Sequence, residues 1–179
     1  MSNKVFIATS LDGYIAGKNN EIDWLEAIPN PDNIDMGYQA HMESVDALVM
    51  GRNTMELVAS MDIEWPYTKP VYILSRSLKK VPDKLEGKAL LVKGDIKSIN
   101  KELKEKGYNN LYIDGGLTIQ SFLKEDLVDE LIITTIPIIL GGGIRLFGEL
   151  DCALEFRCTK SERYSNGVCQ NHFERYSGL

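Results

Sequence analysis

The feature that most constrains this chain is a series of short, nearly unbroken apolar runs, each closed by glycine or polar residues. They are KVFIAT (4–9), ALVM (47–50), PVYIL (70–74), ALLV (89–92) and LYI (111–113). A strand with one wet face alternates apolar and polar residues; KVFIAT does not, so it is expected to be buried on both faces, with ALVM as a second buried strand and the other runs as further strands of a mostly parallel sheet. The intervening stretches supply the helices. Residues 35–44 form one with Met36, Ala40 and Met42 facing inward, and a second runs from Gly51-Arg52-Asn53-Thr54 to Ser60. Ile96, Ile99 and Leu103 recur at helical spacing over 95–106, with Gly107 as the cap, and residues 118–124 make another helix. Residues 127–136 form a long apolar strand ended by Pro137. The last segment, 154–176, places Ser165-Asn166-Gly167 between two alternating runs, a hairpin signal. The expectation is one α/β domain over 1–179: a mostly parallel central sheet flanked by helices, with a C-terminal antiparallel hairpin.

Composition removes several function classes. With 20 Lys+Arg against 26 Asp+Glu the net charge is −6, which disfavours nucleic acid and anionic membranes as partners. The longest apolar stretch, 131–140, is too short for a bilayer helix. Met1-Ser-Asn-Lys leads directly into a strand with no export signal, and the cysteines (152, 158 and 169) are odd in number. Together these predict a cytoplasmic protein with reduced thiols, the cysteines serving as small packing residues. Cys169 and His172 are too few to make a zinc site, so no metal is expected.

Ligands of open α/β sheets bind beyond the carboxyl ends of the strands. Three of those ends here suit phosphate. Gly51-Arg52-Asn53-Thr54 offers a glycine, a cation and a hydroxyl at a helix start, where free N–H groups attract anions. Ser75-Arg76-Ser77, followed by Lys79-Lys80, sets a forked cation between two hydroxyls. Gly115-Gly116 opens a further helix with no side chains to keep a pyrophosphate from the backbone. Each alone has a plainer reading: Thr54 as an N-cap, Ser75-Arg76 as a solvated strand end, Gly-Gly as a turn. Their recurrence at three strand-to-helix corners favours the phosphate reading. Neither GxGxxG nor GxxxxGK[ST] occurs.

VMGRNT (49–54), YILSRS (72–77) and YIDGG (112–116) resemble, in order and context, the motifs of dihydrofolate reductases. They also resemble the dihydrofolate-reductase-like domain of bacterial riboflavin-biosynthesis reductases. ATSLDGYIAG (8–17) and PIILGGGIRLF (137–147) look more like that second branch (the RibD C-terminal-like branch) and its small stand-alone relatives. The resemblance implies NADPH as cofactor. Gly51, Arg52 and Thr54 would contact its phosphates, and Ser75 and Arg76 would hold the ribose 2′-phosphate. Gly115 and Gly116, often joined by a cis peptide in the family, would support the pyrophosphate together with Thr118. Ala8 and the loop through Leu11 and Gly17 would lie against the nicotinamide as a partial lid. Asp35, sixteen residues before Gly51, falls where dihydrofolate reductases carry the carboxylate that orients and helps protonate the pterin. Burial would raise its pKa, although an N-cap role is equally compatible with its position. Asp12 and Trp24 are candidate substrate contacts or, alternatively, loop structure.

The chain departs from both families on the substrate side. Lys69 is the only cation in WPYTK (65–69), where folate enzymes use an Arg, and Met42 stands where riboflavin-pathway reductases usually place one. No HxE with PCxxC deaminase signature is found. The expected function is NADPH-dependent hydride transfer to a small pterin- or pyrimidine-like heterocycle. The acceptor includes 5-amino-6-(5-phosphoribosylamino)uracil among its candidates. Dihydrofolate reduction and a non-catalytic NADPH-sensing module are the alternatives. A homodimer is expected, paired through antiparallel edge strands and the 131–140 segment. Gly141-Gly142-Gly143 either shapes the substrate entrance or only connects two strands.

Overall fold

The computed structural model describes residues 2–176. Its strands are β1 (Ser2–Ser10), β2 (Tyr14–Ala16), β3 (Ala47–Gly51), β4 (Val71–Leu74), β5 (Ala89–Val92), β6 (Asn110–Asp114), β7 (Glu130–Ile136), β8 (Ile144–Arg145), β9 (Phe156–Arg163) and β10 (Cys169–Arg175). The α-helices are α1 (Tyr38–Glu43), α2 (Arg52–Ser60), α3 (Ile96–Glu105) and α4 (Gly116–Lys124). Eight strands form one sheet in the order β5-β4-β3-β6-β1-β7-β10-β9. It is parallel from β5 to β7, and β10 then runs antiparallel to both β7 and β9.

Four of the five apolar runs are inner strands, their alternate residues serving two cores, whereas ALLV is the edge strand β5 and leaves Leu90 54% exposed. Ala47 and Val49 of β3, with Leu111 and Ile113 of β6, pack toward α3 and α4, where Leu103, Ile119 and Phe122 are fully or almost fully buried. Leu48 and Met50, with Val71 and Ile73 of β4, enter a second core on the opposite face beside Met55 of α2. Helix α3 starts at Asp95, whose carboxylate accepts a hydrogen bond from Ser98 N at 2.9 Å. It ends at Gly107, whose φ of +94° is cheap only for glycine.

Several expectations need correction. Helix α1 begins at Tyr38 rather than Asp35, because Met36 and Gly37 take left-handed backbone (φ 54° and 82°) that interrupts a helix. Its inward residue is His41, 4% exposed, whereas Ala40 faces solvent and Met36 and Met42 are half-buried. Residues 14–16, expected as loop, form β2, which pairs with β8 in a two-stranded sheet. Within the 131–140 segment, β7 is hydrogen-bonded to β1 on one side and β10 on the other, so it offers no free edge for strand pairing. The free edge on that side is β9, exposed along most of its length. All three cysteines are exposed and unpaired rather than packed. On β10, strand alternation sends Cys169 and His172 to opposite faces.

The His41 imidazole lies between the Phe6 ring, 5.0 Å centroid to centroid, and an edge-on Tyr112 ring at 4.6 Å. Burial, helped by the nearby Lys4 charge, pushes its pKa down to about 4. The unfolded chain therefore takes up a proton between pH 6.5 and 4 that the folded chain resists, and stability is lost as pH falls through that window. The shift corresponds to about 3 kcal/mol once the pH reaches 4. We predict that His41→Phe loses about 2–3 kcal/mol less stability than the parent on acidification from pH 7 to pH 4.5. Urea denaturation at the two pH values measures this, and equal losses in both proteins would contradict it.

Candidate active site at the strand ends

Strands β4, β3 and β6 are neighbours in the sheet, so the three glycine- and serine-bearing corners open side by side on one rim. They surround a cavity of about 670 Å³, within the range of cofactor and substrate pockets. From β3 the chain passes through α2 outward to β4; from β6 it passes through α4 to β7, beyond β1 on the other side. The cavity therefore sits where successive connections diverge, the place in a parallel sheet where helix N-termini leave room for a ligand.

Two of the corners interlock. A Cβ on Gly51 would lie 2.9 Å from the Thr118 hydroxyl, and one on Gly115 would collide with the Thr54 hydroxyl. Each glycine thus makes room for the threonine of the other corner. Gly115 also has φ +90°, which turns the chain from β6 straight into α4. Helices α2 and α4 are nine residues long, and neither has a side-chain cap at its N-terminus. Their first N–H groups, with two threonine hydroxyls and Arg52 on the same wall, form a set suited to an anionic ligand. The Gly115–Gly116 peptide is trans, as is every bond among the described residues, which corrects the cis expectation.

Of the residues singled out in the sequence, Ala8, Gly51, Arg52, Thr54, Ser75, Gly115, Gly116 and Thr118 line this cavity. Arg52 Nε is paired with Glu56 Oε1 at 2.6 Å, and its Nη1 lies 3.5 Å from Ser77 Oγ, which ties the β3 corner to the β4 corner. Ser75 is buried, and its Oγ accepts from Leu78 N at 3.1 Å. Arg76 is exposed at the rim between Ser75 and Ser77, the two serines that reach the cavity.

Other expected residues lie elsewhere. Leu11 is 59% exposed, and at Gly17 the place of a Cβ is taken by the Glu21 side chain. The residues of this region that line the cavity are instead Ile15, Ala16 and Asn20, with Ile144 of β8. Asp12 is a loop clamp: its carboxylate accepts from Ser10 Oγ (2.6 Å), Leu140 N (3.1 Å) and Gly141 N (2.8 Å). Those bonds, the Ser10 hydroxyl foremost, hold its carboxyl below the usual range. The Gly141–Gly143 stretch is thereby fastened to the lid loop. Trp24 is buried against Ile136 and Val168, a core position rather than a stacking platform.

Asp35 does not reach the cavity. Its carboxylate accepts from Gln39 N and Gly37 N, both at 3.0 Å, at the start of α1. Those backbone bonds hold its pKa below the ordinary value, the reverse of the expected rise. The carboxylate that does face the cavity is Asp114, the last residue of β6. Burial pushes it up to about 6, opposed only by the Gly115 N–H, which donates at 2.8 Å. Its charge in turn raises the phenols of Tyr38, Tyr67 and Tyr112, although burial is the larger cause in each. An acid closing a buried strand in YIDGG was the signal for it, overshadowed by the glycines that follow.

The chain matches the family model described as the RibD C-terminal domain over residues 4–170. It is 34% identical over 174 residues to the protein YwjB of Bacillus subtilis (strain 168), covering 96% of each chain. A Shewanella sp. PV-4 protein proposed to act in riboflavin biosynthesis has a crystal structure that superposes with a TM-score of 0.95. It is 55% identical, with 98% of this chain and 99% of that one covered. A dihydrofolate reductase from Enterococcus faecalis, solved with NADP(H) and a second ligand, superposes with a TM-score of 0.69 at 14% identity, over 98% and 97% of the two chains. That last likeness concerns the fold alone.

The mixed α/β sheet with its C-terminal antiparallel hairpin is thus a dihydrofolate-reductase-like fold, of the riboflavin-biosynthesis reductase type. The chain belongs to the RibD C-terminal domain family.

The interlock gives a direct prediction. Gly115→Ala must displace the Thr54 hydroxyl and hold alanine at positive φ, so it should destabilise the fold by about 1–3 kcal/mol. Thr54→Ala in the same chain removes the collision and should restore part of that loss. Thermal unfolding of the three proteins checks it; a Gly115→Ala chain as stable as the parent would contradict the interlock.

Proposed function

We propose that this protein is an NADPH-dependent reductase that transfers hydride to a small flat heterocycle of pterin or pyrimidine type. The observation that carries the reading is the meeting of three anion-suited corners, on adjacent parallel strands, around one cavity. In this reading Gly51, Arg52, Thr54, Gly115, Gly116 and Thr118, with the N-termini of α2 and α4, hold the pyrophosphate. Ser75 and Arg76 hold the 2′-phosphate at the outer rim, where a guanidinium can swing onto an incoming phosphate. Ala8, with Ile15 and Ala16 of the lid, forms the apolar wall that excludes water at the nicotinamide end.

When bound, the dihydronicotinamide supplies the hydride from its C4. The protein's part is alignment and proton delivery. Reduction of a C=N bond requires a proton at the acceptor nitrogen, and we assign its source to Asp114 in place of Asp35. A half-buried carboxyl that lines the cavity and has a pKa near 6 holds a proton in mildly acidic solution and re-ionises after giving it up. The protein is further proposed to act in the cytoplasm. There it would pair as a homodimer through β9, the exposed antiparallel edge.

Two outcomes follow. In calorimetric titrations, Arg76→Ala should weaken NADPH binding tenfold or more, about 1.4 kcal/mol, while NADH affinity stays within about twofold. An equal loss for both cofactors would contradict the 2′-phosphate role. With 5-amino-6-(5-phosphoribosylamino)uracil-type or dihydropterin acceptors, hydride transfer should fall as pH rises above about 6. Asp114→Asn should flatten that profile and lower kcat by about 100-fold. A parent profile that is flat between pH 5 and 8, or an Asp114→Asn enzyme as fast as the parent, would contradict the proton assignment.

A further inference from the structure

On the α1 face of the sheet, away from the cofactor rim, lies a second cavity of about 280 Å³ that shares no lining residue with the first. Helix α1 roofs it; β1, β7, β10 and β9 supply its floor and far wall. Phe6 and Ile132, both half-buried, give it an apolar floor.

Its polar groups are poorly matched by the protein itself. Lys4, on β1, has a side chain only 16% exposed, yet its ammonium has no partner nearer than Ser44 Oγ and Glu130 Oε1, both at 3.5 Å. An ammonium ordinarily holds oxygen at about 2.8–2.9 Å. His41 is 96% buried, being 4% exposed, and neither ring nitrogen has a partner in the protein. A neutral imidazole still carries one donor and one acceptor, and leaving both unmet in a buried place is costly. Both groups line the same small space.

The other charges around it decide the sign of a ligand. Glu130, on β7, accepts from Ser2 Oγ at 2.7 Å, which occupies the same oxygen that faces Lys4. Lys160, on β9, reaches the cavity while pairing with Glu162, which does not line it. His172, on β10, is bonded through Nε2 to Gln170 Oε1 at 3.0 Å, and Tyr164 O–H donates to the same amide oxygen at 3.1 Å. The lining carries Lys4 and Lys160 against Glu130, and Glu162 offsets Lys160 from outside the cavity, so the donors least matched by the protein are the Lys4 ammonium and the His41 ring N–H, which suit an oxyanion. We propose that this cavity is a binding site for a small oxyanion, a carboxylate or phosphate on a compact body. Its oxygens accept from the Lys4 ammonium and the His41 ring N–H, and Lys160 closes the open side.

The chain contains two histidines, and both line this cavity, so the imidazole NMR signals report on it selectively. Benzoate and inorganic phosphate, titrated separately into the full-length protein, distinguish a carboxylate from a phosphate ligand. The expected result is that one of them shifts the His41 and His172 ring resonances along a saturating curve, with a midpoint at or below about 1 mM. That midpoint should rise at least tenfold in Lys4→Met and severalfold in Lys160→Ala. Lys160 is solvent-facing, so its variant keeps the test valid if Lys4→Met folds poorly. Failure of both anions to saturate by about 20 mM, or curves unchanged in the folded variants, would overturn the proposal.

Discussion

The close approach of two strand-to-helix corners is the constraint on which the rest of the site depends. Gly51 and Gly115 surrender their side chains so that the hydroxyls of Thr118 and Thr54 fit against the opposite backbone. That contact fixes the separation of the N-termini of α2 and α4 and keeps both free of side-chain caps. Uncapped N–H groups and two helix dipoles in one wall are costly unless water or an anion meets them. The fold accepts that cost at the one rim where three parallel strands end together.

Charge is divided across the molecule in a way that its net value conceals. The chain is acidic overall, yet the β3 corner presents Arg52 beside hydroxyls and backbone N–H groups, and Arg76 stands exposed next to the β4 corner. The β6 corner ends in a half-buried acid, Asp114, whose carboxyl is raised by desolvation among the surrounding side chains. Cations at one end and a weak acid at the other suit a cavity that holds phosphates and delivers a proton. On the far side of β1, Lys4 and His41 make a smaller polar space of a different kind.

The central sheet and the place of the glycine- and serine-bearing corners on one rim were legible in the sequence because their signals are local. An apolar run flanked by glycine means a covered strand, and the residue after it is on the rim wherever the sheet lies. The β5 strand, the α3 helix with its Asp95 and Gly107 ends, and the Asn166-Gly167 hairpin came through for the same reason. What failed depended on contacts distant in sequence. Whether Asp35 points into a pocket or caps a helix is decided by the left-handed turn at Met36 and Gly37. Trp24 is core because Val168, more than a hundred residues away, packs on it. Asp12 is a clamp because the 140–141 backbone returns to it. Asp114 was in view within YIDGG, but its raised pKa comes from burial by parts of the chain that no short motif contains.

The central claim is that the interlocked corners and the β4 end form one site for a phosphorylated dinucleotide. Phosphorus NMR of NADPH in the presence of equimolar protein tests it most directly, because the pyrophosphate and the 2′-phosphate give separate signals. The account predicts that both shift and broaden together, the 2′-phosphate under the influence of Ser75 and Arg76 and the pyrophosphate under that of the α2 and α4 N-termini. Signals that remain at their free positions at millimolar protein would contradict it.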